Sequence, residues 1–176
     1  GLPAPAPEAQ VRGQNNLPIL DGDTSPTAAD GTVFDNLVVG QAGLRQFTVH
    51  NFGDAVLDLL DMDVETLVGQ PSPTFDITLI SGGQSIAPGG SSIVQVAWAP
   101  TQVGLDRARV VIETNDPDRA EYTFDVQGTA AAQTFPEAEV LGQGNLIADG
   151  DNSPRVEDGT QFPGVTLGES TQREFI

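Results

Sequence analysis

The side chains best suited to chemistry are six aspartates in an acidic loop that occurs twice. The first loop reads DGDTSP and then DGT, and the second reads DGDNSP and then DGT. The six residues are Asp21, Asp23, Asp30, Asp149, Asp151 and Asp158. Calcium prefers about six to eight oxygen ligands, which clustered carboxylates and loop carbonyls supply. The pattern makes calcium the candidate cofactor, with these six residues as its metal ligands.

The same loops have a second interpretation, which the sequence leaves open. Asp before Gly favours tight turns, and an Asp side chain accepts hydrogen bonds from nearby backbone N–H groups. The loops also depart from the EF-hand pattern, because no Glu closes them at the twelfth position. Both copies would keep their aspartates under either interpretation, so the repetition does not choose between calcium and capped turns.

Residue types for nucleophilic catalysis are scarce in this chain. Cysteine is absent, which removes disulfides, thiolate zinc sites and thiol nucleophiles. His50 is the single histidine, and no serine stands on a turn that would pair with it in a catalytic triad. No acidic residue is set in an apolar surrounding that would raise its pKa for acid catalysis. We therefore expect a protein that is not an enzyme and has no catalytic residues.

The charge balance excludes several partners. Against 25 acidic residues the chain has 7 basic ones, all arginine, for a net charge of −18. Such a surface repels nucleic-acid phosphates and anionic lipids, so we expect no nucleic-acid partner. No apolar run approaches the roughly 20 residues that span a bilayer, so membrane insertion of this segment is not expected. An acidic, lysine-free surface suits salty surroundings, and we expect an extracellular or cell-surface location.

The two acidic loops belong to a longer internal repeat. The stretch PEAQVRGQNNLPILDGDTSP, from Pro7, returns as PEAEVLGQGNLIADGDNSP, from Pro136. Repetition of this kind marks an array of like structural units. We predict a Pro/Ala-rich linker over residues 1–7, one complete module over 8–130, and a second linker over 131–136. Residues 137–176 are then the opening part of a second, incomplete copy.

Between the linkers, apolar and polar residues alternate in short runs that turn residues separate. Such period-2 runs indicate strands with one buried face. Eight strands are predicted, at 9–13, 32–39, 44–51, 56–60, 75–79, 92–99, 107–113 and 122–127. No stretch has a helical period. The fold class predicted is all-β, an immunoglobulin-like antiparallel β-sandwich.

Several motifs resemble those of a known repeat family. The motifs are NFG after a Phe-x-Val strand, APGGSSIVQVAWAPTQVG, VVIETNDPD and YTFDVQGTA. In order and spacing they are similar to the bacterial choice-of-anchor D repeats, relatives of the ASPM/SPD-2/Hydin (ASH) immunoglobulin-like domains. The resemblance covers 7–130 fully and 136–176 in part. It implies a β-sandwich repeat of long secreted or surface-anchored bacterial proteins, without enzymatic activity.

These observations predict a non-catalytic structural repeat of a long extracellular or cell-surface protein, such as a fibre, a sheath or an adhesin stalk. Calcium between modules would stiffen such a chain. The expected partners are neighbouring copies of the module, in a covalent tandem array or in a homopolymer that exchanges strands. The alternative is a ligand- or carbohydrate-binding module attached to a secreted protein.

Overall fold

Nearly all of the regular structure consists of β-strands, and in the longer strands buried and exposed side chains alternate. The computed structural model describes residues 4–70 and 74–176, and its one helical turn there is a short 3-10 turn, Gln14–Asn16. The strands are β1 (Ala9–Arg12), β2 (Pro18–Ile19), β3 (Leu37–Val38), β4 (Gly43–Asn51), β5 (Leu57–Thr66), β6 (Phe75–Ser81), β7 (Ser85–Ile86), β8 (Ser91–Trp98), β9 (Gly104–Thr114), β10 (Glu121–Ala131), β11 (Val140–Gly142) and β12 (Asn145–Ile147).

Ten of these strands form two five-stranded sheets. The first has the order β2-β1-β4-β8-β6 and the second the order β3-β10-β9-β5-β7. Neighbouring strands are antiparallel, except that β3 runs parallel to β10. The chain thus contributes β1 and β2 to the first sheet before it joins the second sheet as β3. The predicted immunoglobulin-like antiparallel β-sandwich is confirmed.

The core lies between the two sheets. Phe47 of β4 and Phe124 of β10 meet across it with ring centroids 5.1 Å apart, and both are fully buried. Trp98 is also fully buried and stacks on Phe75 at 5.6 Å. Full burial of side chains of this size contributes about 1.5–3 kcal/mol each relative to exposure. Aromatic packing between the sheets therefore anchors the sandwich.

Several predicted strands differ from the structure, among them the one predicted at 56–60, which continues as β5 to Thr66. The strand predicted at 32–39 is wrong over most of its length, because only β3 and an isolated bridge from Val33 to Gln127 pair there. Residues 34–36, between these contacts, are not part of a strand, so the pairing is discontinuous. The final strand, predicted to close at Gly128, continues as β10 to Ala131. Gly128 fits within it because a Cβ there would lie 2.4 Å from the Trp98 ring.

The chain enters the first module at one end of the sandwich and leaves it at the other. β1 begins where the backbone N–H of Ala9 donates to Asp116, in the turn between β9 and β10. β10 runs from that turn to the other end, where Ala130 pairs with Gly104 at the start of β9. Eleven residues of β10 at about 3.3 Å each separate the two ends by about 35 Å.

The chain divides into two compact units, Gly1–Gln133 and Thr134–Ile176. In the second, β11 and β12 form a hairpin like that of β1 and β2. Leu141 and Ile176 exchange two backbone hydrogen bonds of 2.8 and 3.0 Å, at the positions that Arg12 and Thr48 hold in the first copy. The second unit therefore keeps the register of the first copy of the repeat.

Among the residues that the structure describes, no helix has the length and apolar character required to cross a membrane.

Candidate functional site

The first acidic loop lies along the outer edge of β10. The backbone N–H of Gly22 donates to the carbonyl of Thr123 at 2.8 Å. The backbone N–H of Asp125 donates to the carbonyl of Asp23, also at 2.8 Å. The side chain of Asp21 adds a third contact, because its Oδ1 accepts the N–H of Thr123 at 2.9 Å. Asp21 therefore holds the loop on the last strand of the module.

The second half of this loop is closed by Asp30 and Thr32. Oδ1 of Asp30 accepts the backbone N–H of Thr32 at 3.0 Å and its hydroxyl at 2.7 Å. The Thr32 oxygen in turn accepts the N–H of Thr27 at 2.7 Å. The backbone carbonyl of Thr32 accepts the N–H of Gln127 on β10, at 3.0 Å. This second turn therefore brings the chain back to the same strand edge.

The middle aspartates of both loops cap turns in the same way. Oδ1 of Asp23 accepts the N–H of Ser25 at 2.8 Å, and Oδ1 of Asp151 accepts that of Ser153 at 2.8 Å. A side-chain acceptor two residues before the donor imitates a backbone turn.

The second copy repeats the closing turn as well. Oδ1 of Asp158 accepts the backbone N–H of Thr160 at 2.9 Å and its hydroxyl at 2.6 Å. The Thr160 oxygen accepts the N–H of Arg155 at 2.9 Å. The hydroxyl of Thr160, then its backbone N–H, lower the pKa of Asp158 from its ordinary value of 3.8. Charge on this carboxylate therefore supports the turn.

The six predicted calcium ligands do not form one cluster. Over 4–70 and 74–176, no group of three or more His, Cys, Asp or Glu side chains is placed to hold a metal ion. Five of the six accept the hydrogen bonds described above, as the capped-turn interpretation predicts. Asp149, the counterpart of Asp21, accepts no hydrogen bond from the described residues. Calcium binding at these residues stays a prediction.

A further acidic strip crosses the outer face of the second sheet. Asp61, Glu113 and Glu121 stand in register on β5, β9 and β10, which places three carboxylates in one row. Like charges directly opposite each other on neighbouring strands destabilise the pairing. Towards the other end of this face, Arg109 donates to Asp125 at 2.9 Å. This face of the sandwich is thus acidic at the end where β1 begins.

One acidic residue that sequence reasoning missed joins the two sheets. Asp116 is nearly fully buried, and its Oδ2 accepts the N–H of Ala9 at 2.8 Å. Its Oδ1 accepts the N–H of Asp118 at 2.9 Å, and the Arg119 guanidinium lies 3.5 Å away. The motif NDPD predicts a turn, but its bond to Ala9 joins residues 107 positions apart. No local signal in the sequence reveals such a partner.

His50 packs on the outer face of the first sheet. Its ring stacks on Phe52 at 5.5 Å, and the Arg12 guanidinium lies 5.6 Å above the same Phe52 ring. Partial burial, and then the charge of Arg12, lower the pKa of His50 from its ordinary value of 6.5. The neutral imidazole is therefore favoured, and it packs against the Phe52 ring that Arg12 also contacts.

Comparison with known proteins finds likenesses among solved structures alone. No protein-family model and no curated protein matches the sequence. The ASH/PapD-like domain of human CEP192 is 14% identical with a TM-score of 0.47, over 76% of this chain and 92% of that domain. A CARDB domain from Pyrococcus furiosus, in complex with di-metal ions, is 14% identical with a TM-score of 0.41, over 73% and 96%.

A third likeness is to a much longer protein. The secreted serine protease VesC from Vibrio cholerae is 15% identical with a TM-score of 0.42, over 55% of this chain and 21% of the protease. At these identities and TM-scores, the immunoglobulin-like assignment rests on the strand order described above. The resemblance to choice-of-anchor D repeats stays a prediction at the level of the family.

Proposed function

We propose that this chain is a non-catalytic structural part of a long extracellular or cell-surface protein, as a fibre, sheath or adhesin stalk. The observation that carries the proposal is the position of the module's ends. β1 starts at one end of the sandwich and β10 leaves about 35 Å away at the other, a separation that suits an extended array of modules. A module whose ends lay together would fold the array back on itself.

The internal repeat supports the same proposal. The second copy keeps the β1–β4 register and the closing turn of the first, which indicates a second module of the same kind. Neighbouring copies are therefore the proposed partners, joined in a covalent tandem array. The linker before each copy contains proline, which favours extended backbone and limits bending.

The length of tandem proteins in solution tests the proposed in-line array. Chains with one, two and three complete copies of 8–136 would be compared by small-angle X-ray scattering. We expect the maximum dimension to grow by about 35–45 Å per copy, since each adds one strand length and a linker. Growth well below one strand length per copy would show that the modules fold back and would refute the stalk.

Location needs a separate experiment in the organism that makes the protein. Intact cells would be treated with protease and probed with antibody against residues 8–130, with a cytoplasmic protein as the control. A surface protein loses its signal while the control remains. Antigen protected until the cells are lysed would exclude the proposed location.

Calcium as a stiffening ion is a separable part of the proposal. Occupied Asp loops would raise the melting temperature with calcium, because a ligand that binds only the folded state stabilises it. The ion-binding hypothesis predicts that EGTA lowers both the melting temperature and the solution length, and that magnesium does not restore them. If EGTA changes neither, the aspartates serve the turns alone.

A further inference from the structure

The end of the module opposite the start of β1 contains a small cavity with an acidic wall. Its volume is about 170 Å³, and its lining consists of Thr74, the loop Thr101–Gly104, Leu105 and Asp106. Since a water molecule occupies about 30 Å³ in the liquid, there is room for several waters or for the end of a side chain. None of the lining residues belongs to the acidic loops.

Asp106 is the unusual member of this lining. It is 7% exposed, and its Oδ2 accepts the indole N–H of Trp98 at 3.1 Å and the hydroxyl of Thr74. Its other oxygen, Oδ1, is buried and has no hydrogen-bond partner among the described residues. A buried oxygen without a donor destabilises the folded state, and more strongly when it is charged. The described residues therefore leave this acceptor without a donor.

The charge of Asp106 is also unpaired. The ion pairs of the described residues involve Asp35, Asp125, Glu8 and Asp116, and none of them reaches Asp106. Since buried carboxylates are ordinarily paired with a cation, the missing partner is a positively charged donor. The net charge of −18 adds a long-range field that concentrates cations near the surface.

The geometry of the carboxylate selects among cations. Calcium requires several oxygen ligands, and Asp106 is the one carboxylate in this lining. A guanidinium binds best when it contacts both carboxylate oxygens, but Oδ2 already has two donors. A primary ammonium is a compact charge that needs one free oxygen. The half-exposed Val103 and Leu105 at the same cavity would cover an aliphatic stem.

We propose that this cavity binds a primary ammonium group on an aliphatic stem, with Asp106 Oδ1 as its acceptor. This chain contains no lysine, so the group comes from another molecule: a lysine side chain of a partner protein or a free alkylamine. The inference is independent of the proposed array, and a negative result in either case leaves the other standing.

The single tryptophan makes the proposal testable in the full chain. The indole N–H of Trp98 donates to Asp106, so its proton resonance reports on that carboxylate. The protein is titrated with n-butylammonium chloride at constant ionic strength, and with n-butanol as the uncharged control. We expect a saturable shift of the indole resonance with the ammonium and none with the alcohol. Absence of a saturable shift, or an equal shift with butanol, overturns the proposal and leaves water as the partner of Oδ1.

Two pairs of variants separate the site from general electrostatics. Asp106→Asn keeps an acceptor for Trp98 but removes the charge, and should weaken binding about tenfold or more. Asp76→Asn, an exposed carboxylate on β6, is its matched control and should leave binding unchanged. If the two variants weaken binding equally, the ammonium is held by the overall field and the proposal fails.

The second pair leaves Asp106 intact in case its replacement unfolds the module. Val103→Arg puts a positive charge at the exposed rim of the cavity and should weaken binding severalfold by repulsion. Leu60→Arg makes the same change at an exposed residue of β5, outside the cavity, and should not. Equal effects would contradict the assignment of the site.

A capped peptide, acetyl-Gly-Lys-Gly-amide, distinguishes the two sources. A shift with the peptide similar to that with butylammonium assigns the site to a lysine side chain of a partner. A shift with butylammonium alone assigns it to a free alkylamine.

Discussion

The two copies of the repeat have the same turns but very different burial. Phe34 is 2% exposed and Phe47 is fully buried in the first copy. Their counterparts in the second copy, Phe162 and Phe175, are 51% and 42% exposed. Yet the closing turn of Asp158 matches that of Asp30, and the strand register is kept. The turns thus form from nearby residues of the same copy, while burial of these rings requires β8 and β10.

The difference also shows what the acidic loop does when the rest of the sandwich is present. In the first copy Asp21 holds β10 through Thr123, and the equivalent Asp149 has no such contact among the described residues. The same side chain therefore makes no strand contact with the described residues in the second copy, as Asp149, and makes one in the first, as Asp21. Paired substitutions at equivalent positions measure that difference directly.

The largest contrast is expected from the aromatic pair. Phe34 packs against Phe75 at 5.4 Å and Trp98 at 5.8 Å, so Phe34→Ala should destabilise the first unit by about 3–5 kcal/mol. Phe162→Ala should change stability by no more than about 0.5 kcal/mol, because its side chain is half exposed. Urea unfolding followed by Trp98 fluorescence measures the first, and amide exchange at Leu141 measures the second. Equal costs would mean that the second unit has a core of its own.

A glycine pair should behave alike in the two copies, because its contact is local. A Cβ on Gly13 would lie 1.8 Å from the carbonyl oxygen of Asp30, and one on Gly142 would lie 1.7 Å from that of Asp158. Each Ala substitution should displace its loop, at a cost of about 1–3 kcal/mol. A changed backbone amide resonance of the residue that follows Asp30, in the Gly13 variant, or Asp158, in the Gly142 variant, would show this displacement. Unchanged spectra in either variant would argue against the close approach.

The strand-holding aspartate should distinguish the copies by a smaller amount. Asp21→Ala removes the acceptor of the Thr123 N–H and should cost about 1 kcal/mol. Asp149→Ala should cost nothing measurable and is the matched control, since it makes the same change in charge. Thermal unfolding by circular dichroism compares the two. A cost for the control as large as that for Asp21 would mean that the carboxylates act through charge.

The smallest effect concerns acid. The folded pKa of Asp158 lies below 3.8, because its charged form accepts bonds from Thr160. A lowered pKa means that this carboxylate stabilises the turn above pH 3.8 and that the contribution is lost as the pH falls through the folded pKa. The Thr160 amide resonance should therefore titrate below pH 3.8, and Asp158→Asn should abolish the transition. A midpoint at or above that value would contradict the hydrogen bonds.

Much of the sandwich was predictable from alternation. The runs around Phe47 and Val94 put every second side chain in the core, and the structure buries those residues. The strand predicted at 32–39 was wrong because its pairing with β10 is discontinuous, and alternation alone does not show where a partner strand is absent. The sequence also locates the acidic loops, and calcium binding at them stays a prediction.

The sequence by itself determined the alternating strands and the Asp-Gly turns, because both depend on residues a few positions apart. Tertiary structure alone decided the bond from Asp116 to Ala9 and the unpartnered oxygen of Asp106 beside Trp98. It also decided that Phe34 is buried while Phe162 is exposed. Burial and long-range hydrogen bonds depend on which strands meet, and that is a property of the whole sandwich.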